Sequence, residues 1–281
     1  MPFNKAIHFN RHILVVINPK KEEQVALNKA IRLAERLGST ITALVRRKHA
    51  IPQLLEALDK KLSVAALQGI SITIEISEET SLLRAIIRCQ YEKRLGWIVK
   101  EPHSPSLSDH IFLSDDWKLL RSSRCPVFMV RADNHWEDGS PLLLCVNANP
   151  KDSEHQDLNA RVLKVGLLLA KVGNGQRHLV SAYPSLMQSG SSKDQVPKLL
   201  ETQYRTACKK MLTKHEIPDN QLHIDQGPPE LLIPQITEEI QAKLVVLGTV
   251  ARSGLQGVLL CNTAEQILAR LKTDILVLPP E

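Results

Sequence analysis

The chain is written twice, and an internal repeat narrows the fold more than any single motif, because each copy must bury its own apolar faces. The run HILVVINPK at 12–20 returns as PLLLCVNANPK at 141–151, each an apolar strand ending in asparagine. A polar turn and a helix-period segment follow in both copies: EEQVALNKAIRLAERLGSTI in the first, HQDLNARVLKVGLLLAKVG in the second. Further on, LGWIVKEP at 95–102 matches KLVVLGTV at 243–250, and RCPVFMVR at 124–131 matches KTDILVLP at 272–279. The last two pairs share one offset, so that part of the repeat aligns without a gap.

Each half reads as five strands separated by four helices, which demands a mostly parallel sheet covered on both faces. The fold class is therefore α/β, as two tandem, doubly wound, Rossmann-like parallel-sheet domains of five strands each. The expected strands are 13–18, 40–46, 71–76, 96–100 and 126–130, then 142–147, 177–183, 221–225, 243–248 and 275–278. The polar connector RADNHWEDGS at 131–140 sets the boundary, giving domains 1–134 and 135–281. Gly38 and Gly173 stand where a helix C-terminus wants a left-handed residue. The stretch PSLMQSGSSKDQ at 184–195 is expected to be a mobile loop over the crevice.

Composition removes several function classes. With 43% hydrophobic but only 4% aromatic residues the interior is aliphatic, and ten aromatic rings without clustering give no stacking platform for nucleic acid. No apolar run reaches the roughly 18–20 residues of a membrane span, and the first residues lack the layout of a secretion signal. A cytoplasmic protein is the expectation, with no nucleic-acid or membrane partner. Five scattered cysteines (Cys89, Cys125, Cys145, Cys208, Cys261) without a C-x-x-C suit buried thiols. The net charge of +6 is spread over short basic groups, Lys20-Lys21, Arg46-Arg47-Lys48, Lys60-Lys61 and Lys209-Lys210, which read as solvated faces.

Three stretches carry a resemblance. VVLGTVARSGLQGVLLCNTAEQIL at 245–268 with the following strand DILVLP, the turn GPPELLIPQI at 227–236, and DWKLLRSSRCPVFMV at 116–130 are similar to the universal stress protein family in its tandem form. The resemblance implies a Gly-x2-Gly-x9-Gly-[Ser/Thr] nucleotide loop between the fourth strand and fourth helix, and an acid ending the first strand. In the second half those positions hold Gly248, Ala251, Cys261 and Asn262, with Asn147 in place of the acid. In the first half they hold Lys100, His103, Leu113 and Ser114, with Asn18 at the strand end, so no motif glycine remains there. It also implies pairing of the last strands, VFMV at 127–130 with ILVL at 275–278, as an internal pseudo-dimer; further homodimerisation stays open.

Two readings of the second half stand. In the first, an adenine nucleotide such as ATP, with or without magnesium, sits where strand order switches, against Asn147, Ala148, Tyr183, Gly227, Gly248 and Thr249. Ala251, Arg252, Gly254, Cys261, Asn262 and Thr263 line its phosphates, with Asn262 or Thr263 as N-cap and Glu265 or Gln266 completing a capping box. In the second, the chain is an interaction scaffold for a protein or small apolar ligand. Gly248 and Gly254 then serve only the turn and helix-to-sheet packing, and Cys261 is a small buried hydrophobe. The first half would bind no nucleotide in either case.

No P-loop, dinucleotide fingerprint or G-x-S-x-G elbow occurs. The expectation is a non-enzyme, with slow ATP hydrolysis left open but no base identified for it. The densest acid and histidine group, His103, Asp109, His110, Asp115 and Asp116, is expected to be a solvated loop rather than a metal site, with Asp116 as a helix-start residue.

Overall fold

The computed structural model describes residues 11–17, 21–67, 69–102, 114–131, 139–150, 152–184, 197–212, 217–249 and 262–280. They divide into two compact units after Val130, ahead of the expected boundary after residue 134.

The first unit runs β1 (His12–Val16), α1 (Val25–Leu37), β2 (Thr40–Arg46), α2 (Pro52–Leu67), β3 (Ile72–Ser77), α3 (Leu82–Lys93), β4 (Trp97–Lys100), α4 (Ser114–Ser122) and β5 (Val127–Met129). Its strands are all parallel in the order β3-β2-β1-β4-β5, with Ile13 facing Ile41 on one side and Trp97 on the other. The second unit repeats the scheme with β6 (Pro141–Cys145), α5 (Ser153–Gly173), β7 (Gln176–Tyr183), α6 (Pro197–Met211), β8 (Leu222–Gln226), α7 (Pro229–Glu239), β9 (Leu244–Gly248), α8 (Asn262–Arg270) and β10 (Asp274–Leu278). Its order is β8-β7-β6-β9-β10, again parallel throughout. In both units the chain moves outward from its first strand and then returns to the other side. The strand order thus switches between β1 and β4, and between β6 and β9.

Helix packing follows from periodicity. In α1 the buried Ala26, Leu27, Ala30, Leu33 and Ala34 form one stripe, and Gly38 ends it at φ 60°, as expected. The second copy differs: Gly173 is the last helical residue, and Asn174 takes the left-handed position at φ 45°. Asparagine tolerates that geometry, so the glycine is not needed for it. Instead glycine serves close approach. A Cβ on Gly166 of α5 would fall 2.4 Å from the Leu144 side chain, and one on Gly248 of β9 would fall 2.2 Å from Leu158. Helix α5 therefore lies hard against β6 and β9, starting from Asp152, whose carboxylate accepts from the His155 backbone N–H at 2.9 Å. In α7, Pro234 leaves the Glu230 carbonyl without its helical donor, and Arg270 of α8 reaches that oxygen at 3.5 Å.

The basic groups find local acids: Lys21 pairs with Glu101, Arg47 with Glu78, Lys60 with Glu56, and Lys209 with Asp219. Cys89, Cys125 and Cys208 are free and buried, and burial raises their thiols to about 12, about 11 and about 11. Cys261 lies outside the described residues. Among the described residues no helix is long and apolar enough to cross a membrane.

Candidate functional site

In an open parallel sheet, ligands meet the carboxyl ends of strands at the order switch. The two units treat that place differently. In the second unit the chain leaves β6 through Asn147, Ala148 and Asn149, and side chains satisfy all three backbone N–H groups. Asn147 donates to Asn159 Oδ1 at 3.0 Å, Ala148 to Ser181 Oγ at 3.0 Å, and Asn149 to Asn147 Oδ1 at 3.0 Å. Asn159 Nδ2 also returns a bond to the Asn147 carbonyl at 2.7 Å, tying the turn to α5 from both sides. These amides are consumed internally, so this turn is no phosphate cradle. Its exposed Asn147 side chain remains at the strand end.

Next to it, Tyr183 ends β7. Its ring packs on Tyr204 of α6 with centroids 5.7 Å apart, which turns it onto that helix. Burial first, then Glu201 and Asp225, push its phenol above the usual range. The Tyr183 carbonyl accepts from Gly227, whose φ of 140° only glycine adopts freely and whose Cβ position faces open space. Across the switch, β9 ends in Gly248 and the buried Thr249, whose backbone N–H donates to the Leu278 carbonyl at 3.0 Å. No ionised side chain occupies these last two positions.

The first unit puts charge there. Lys100 occupies the place of Gly248, and its ammonium lies 2.5 Å from Asp116 Oδ1 in the first turn of α4 and 2.6 Å from the Glu101 carbonyl. Burial pushes the Lys100 ammonium below its usual range, against the pull of Asp116. Glu101 occupies the place of Thr249; its carboxylate pairs with Lys21 and accepts from the Ala26 backbone N–H, in the first turn of α1, at 3.5 Å. A small hollow of about 10 Å³ beside the Lys100–Asp116 pair is walled by Leu82, Ile86 and Leu119. Asp116 is thus a buried ion-pair partner, a correction to the solvated loop expected for its group. A carboxylate at a helix start gains from the dipole, and here it also neutralises a buried lysine.

Residues 155–279 match the universal stress protein family. Universal stress protein E of Escherichia coli strain K12 is 30% identical over 301 positions, covering 96% of this chain and 94% of the relative. That of Photorhabdus laumondii is 31% identical, covering 96% and 95%.

The chain belongs to the universal stress protein family.

A crystal structure of a functionally unknown protein from Pseudomonas aeruginosa PAO1 is similar at 34% identity and TM-score 0.82, covering 96% of this universal stress protein and 92% of that chain. A universal stress protein structure from Archaeoglobus fulgidus, at 16% identity and TM-score 0.58, shares the fold.

Of the residues expected to hold ligand in this universal stress protein, the structure gathers Asn147, Ala148, Gly248 and Thr249 at the switch and puts Tyr183 one strand further out, at the end of β7, and Gly227 two strands out, after β8. Ala251, Arg252, Gly254 and Cys261 lie outside the described residues. Helix α8 begins at Asn262, so both residues expected as its cap, Asn262 and Thr263, sit inside its first turn rather than ahead of it. His103, Asp109 and His110, and the loop 185–195, also lie outside. Sequence reasoning missed Asn159, Ser181 and Glu101, and placed Lys100 only as a lost motif position. Their signals were present: an asparagine within the apolar stripe of α5, and charges at the end of the apolar run WIV where the other copy has glycine.

Proposed function

We propose that this chain is a cytoplasmic stress-response binding protein whose second unit takes an adenine nucleotide at the β6/β9 switch, while its first unit takes none. The observation that carries this is the contrast between equivalent strand ends. Lys100 and Glu101 fill one with paired charge, whereas Gly248 and Thr249 leave the other without a charged side chain. A positive helix end such as that of α8 suits phosphate, and the exposed Asn147 amide suits a base edge or ribose. Catalysis is not part of the proposal, because Asn147 is no base. Calorimetric titration with ATP, with and without magnesium, tests it: a single site per chain supports the reading, and no heat at millimolar nucleotide ends it.

A second reading, the interaction scaffold, draws on two observations. The amides of the β6 turn are already used, and the close approach at Gly248 is to Leu158 rather than to open space. A null ATP titration with a bound protein or apolar molecule would favour it.

A further inference from the structure

Two histidines meet away from that switch. His178 Nδ1 on β7 lies 3.0 Å from His223 Nε2 on β8, with ring centroids 5.3 Å apart and 20° between planes. Both are half-buried. Ser181 bonds Cys208 of α6, so by strand alternation His178, three residues earlier, lies on the opposite face, the one α7 covers. On β6, His178 is flanked by the uncharged Leu143. The charged groups around the pair are Asp225, two residues along β8, and Glu239 at the end of α7; Arg177 alternates to the other face of β7.

A ring-to-ring hydrogen bond has room for one proton between its nitrogens. A neutral pair satisfies it, and so does one imidazolium donating to one neutral ring. When both rings are protonated, two N–H groups face each other and neither can accept. Among the described residues, strand β8 ends the sheet order of its unit and pairs with β7 alone, so the contact helps hold an outer strand. We propose that His178 and His223 form a proton-operated clasp between β7 and β8, closed with up to one added proton and opened by the second.

Burial disfavours charge on both rings. It lowers His178, with His223 adding to the effect, and it lowers His223 against Asp225 and Glu239. The folded pair therefore binds fewer protons than the unfolded chain below the ordinary histidine range of about 6.5. Stability of this edge is present above that range and is lost as pH falls through it and below.

Ring-proton NMR of the full chain from pH 7.5 to 5, with hydrogen exchange at Asp225 and Gly227, whose N–H groups face β7, corrected for intrinsic rate, tests the clasp. The expected result is coupled titration, with one step displaced below the ordinary value, and exchange that accelerates about tenfold for each pH unit of that displacement. His223→Gln keeps a polar partner that does not titrate and should reduce the acceleration to what the burial of His178 alone leaves. Independent titration of both rings at the ordinary value, or flat exchange, overturns the proposal. So does unchanged acceleration in His223→Gln, and if that variant fails to fold, the wild-type titration decides alone.

Discussion

The Lys100 ammonium lies 2.5 Å from Asp116 Oδ1 with each side chain only 2% exposed, joining the end of β4 to the first turn of α4. Removing one partner leaves an uncompensated buried charge, whereas removing both leaves an apolar contact. Lys100→Met should therefore cost the first unit about 3–5 kcal/mol, and Lys100→Met with Asp116→Leu should recover most of it. Urea unfolding followed by fluorescence of Trp97, buried on the same strand, measures both. A double variant no better than the single one would show that the pair does more than neutralise itself.

Gly248 is the second unit's counterpart of Lys100, and its lack of a side chain is a packing requirement. A Cβ there would meet Leu158 Cγ at 2.2 Å, inside any real contact distance. Gly248→Ala should destabilise the unit by about 1–3 kcal/mol through overpacking, and Leu158→Ala in the same chain should relieve part of it. Hydrogen exchange of the β9 amides reads the change. Equal exchange in wild type and variant would mean that α5 can move away at no cost.

The repeat and the fold were legible because hydrophobic periodicity and turn residues are local signals. Strand ends shifted by a residue or two, as when β1 proved to be 12–16 rather than 13–18. That shift reflects ladder bonds formed with neighbours far away in sequence. The site was legible only in outline. A glycine's purpose depends on what approaches it, and Leu158 is ninety positions from Gly248, so the sequence left packing and ligand approach as alternatives. Lys100 looked like a lost motif position; only the parallel fold brings Asp116 against it. Gly173 misled for the opposite reason, since Asn174 beside it satisfies the same left-handed requirement.

Glu75 on β3 ties the outer edge of the first unit. It accepts from Lys93 at 2.9 Å, Arg88 at 3.2 Å and the Cys89 thiol at 3.4 Å. Burial alone would raise its carboxyl, but these partners together hold it below the usual range. A depressed carboxyl contributes stability above its unfolded value, and that contribution is lost as pH falls through the folded one. The urea midpoint of the first unit should fall between roughly pH 5 and pH 3, and Glu75→Gln should flatten that part of the curve. A parallel fall in the variant would assign the acid sensitivity to other carboxyls.

The family loop asks for glycine at two positions where this chain has Ala251 and Cys261. A residue with a Cβ held in left-handed geometry costs about 1–2 kcal/mol, and about 1.4 kcal/mol is a tenfold change in affinity. If a nucleotide in the second unit requires the glycine geometry of the family loop at these positions, the two side chains weaken its binding. The double variant Ala251→Gly, Cys261→Gly should then bind ATP at least severalfold more tightly than wild type in the same calorimetric titration. Because glycine also loosens the free loop, a rise in affinity must exceed that entropic cost, which makes tightening a demanding outcome. Unchanged or weaker binding, in a variant whose β9 exchange matches wild type, would show that strain at these positions does not limit the site.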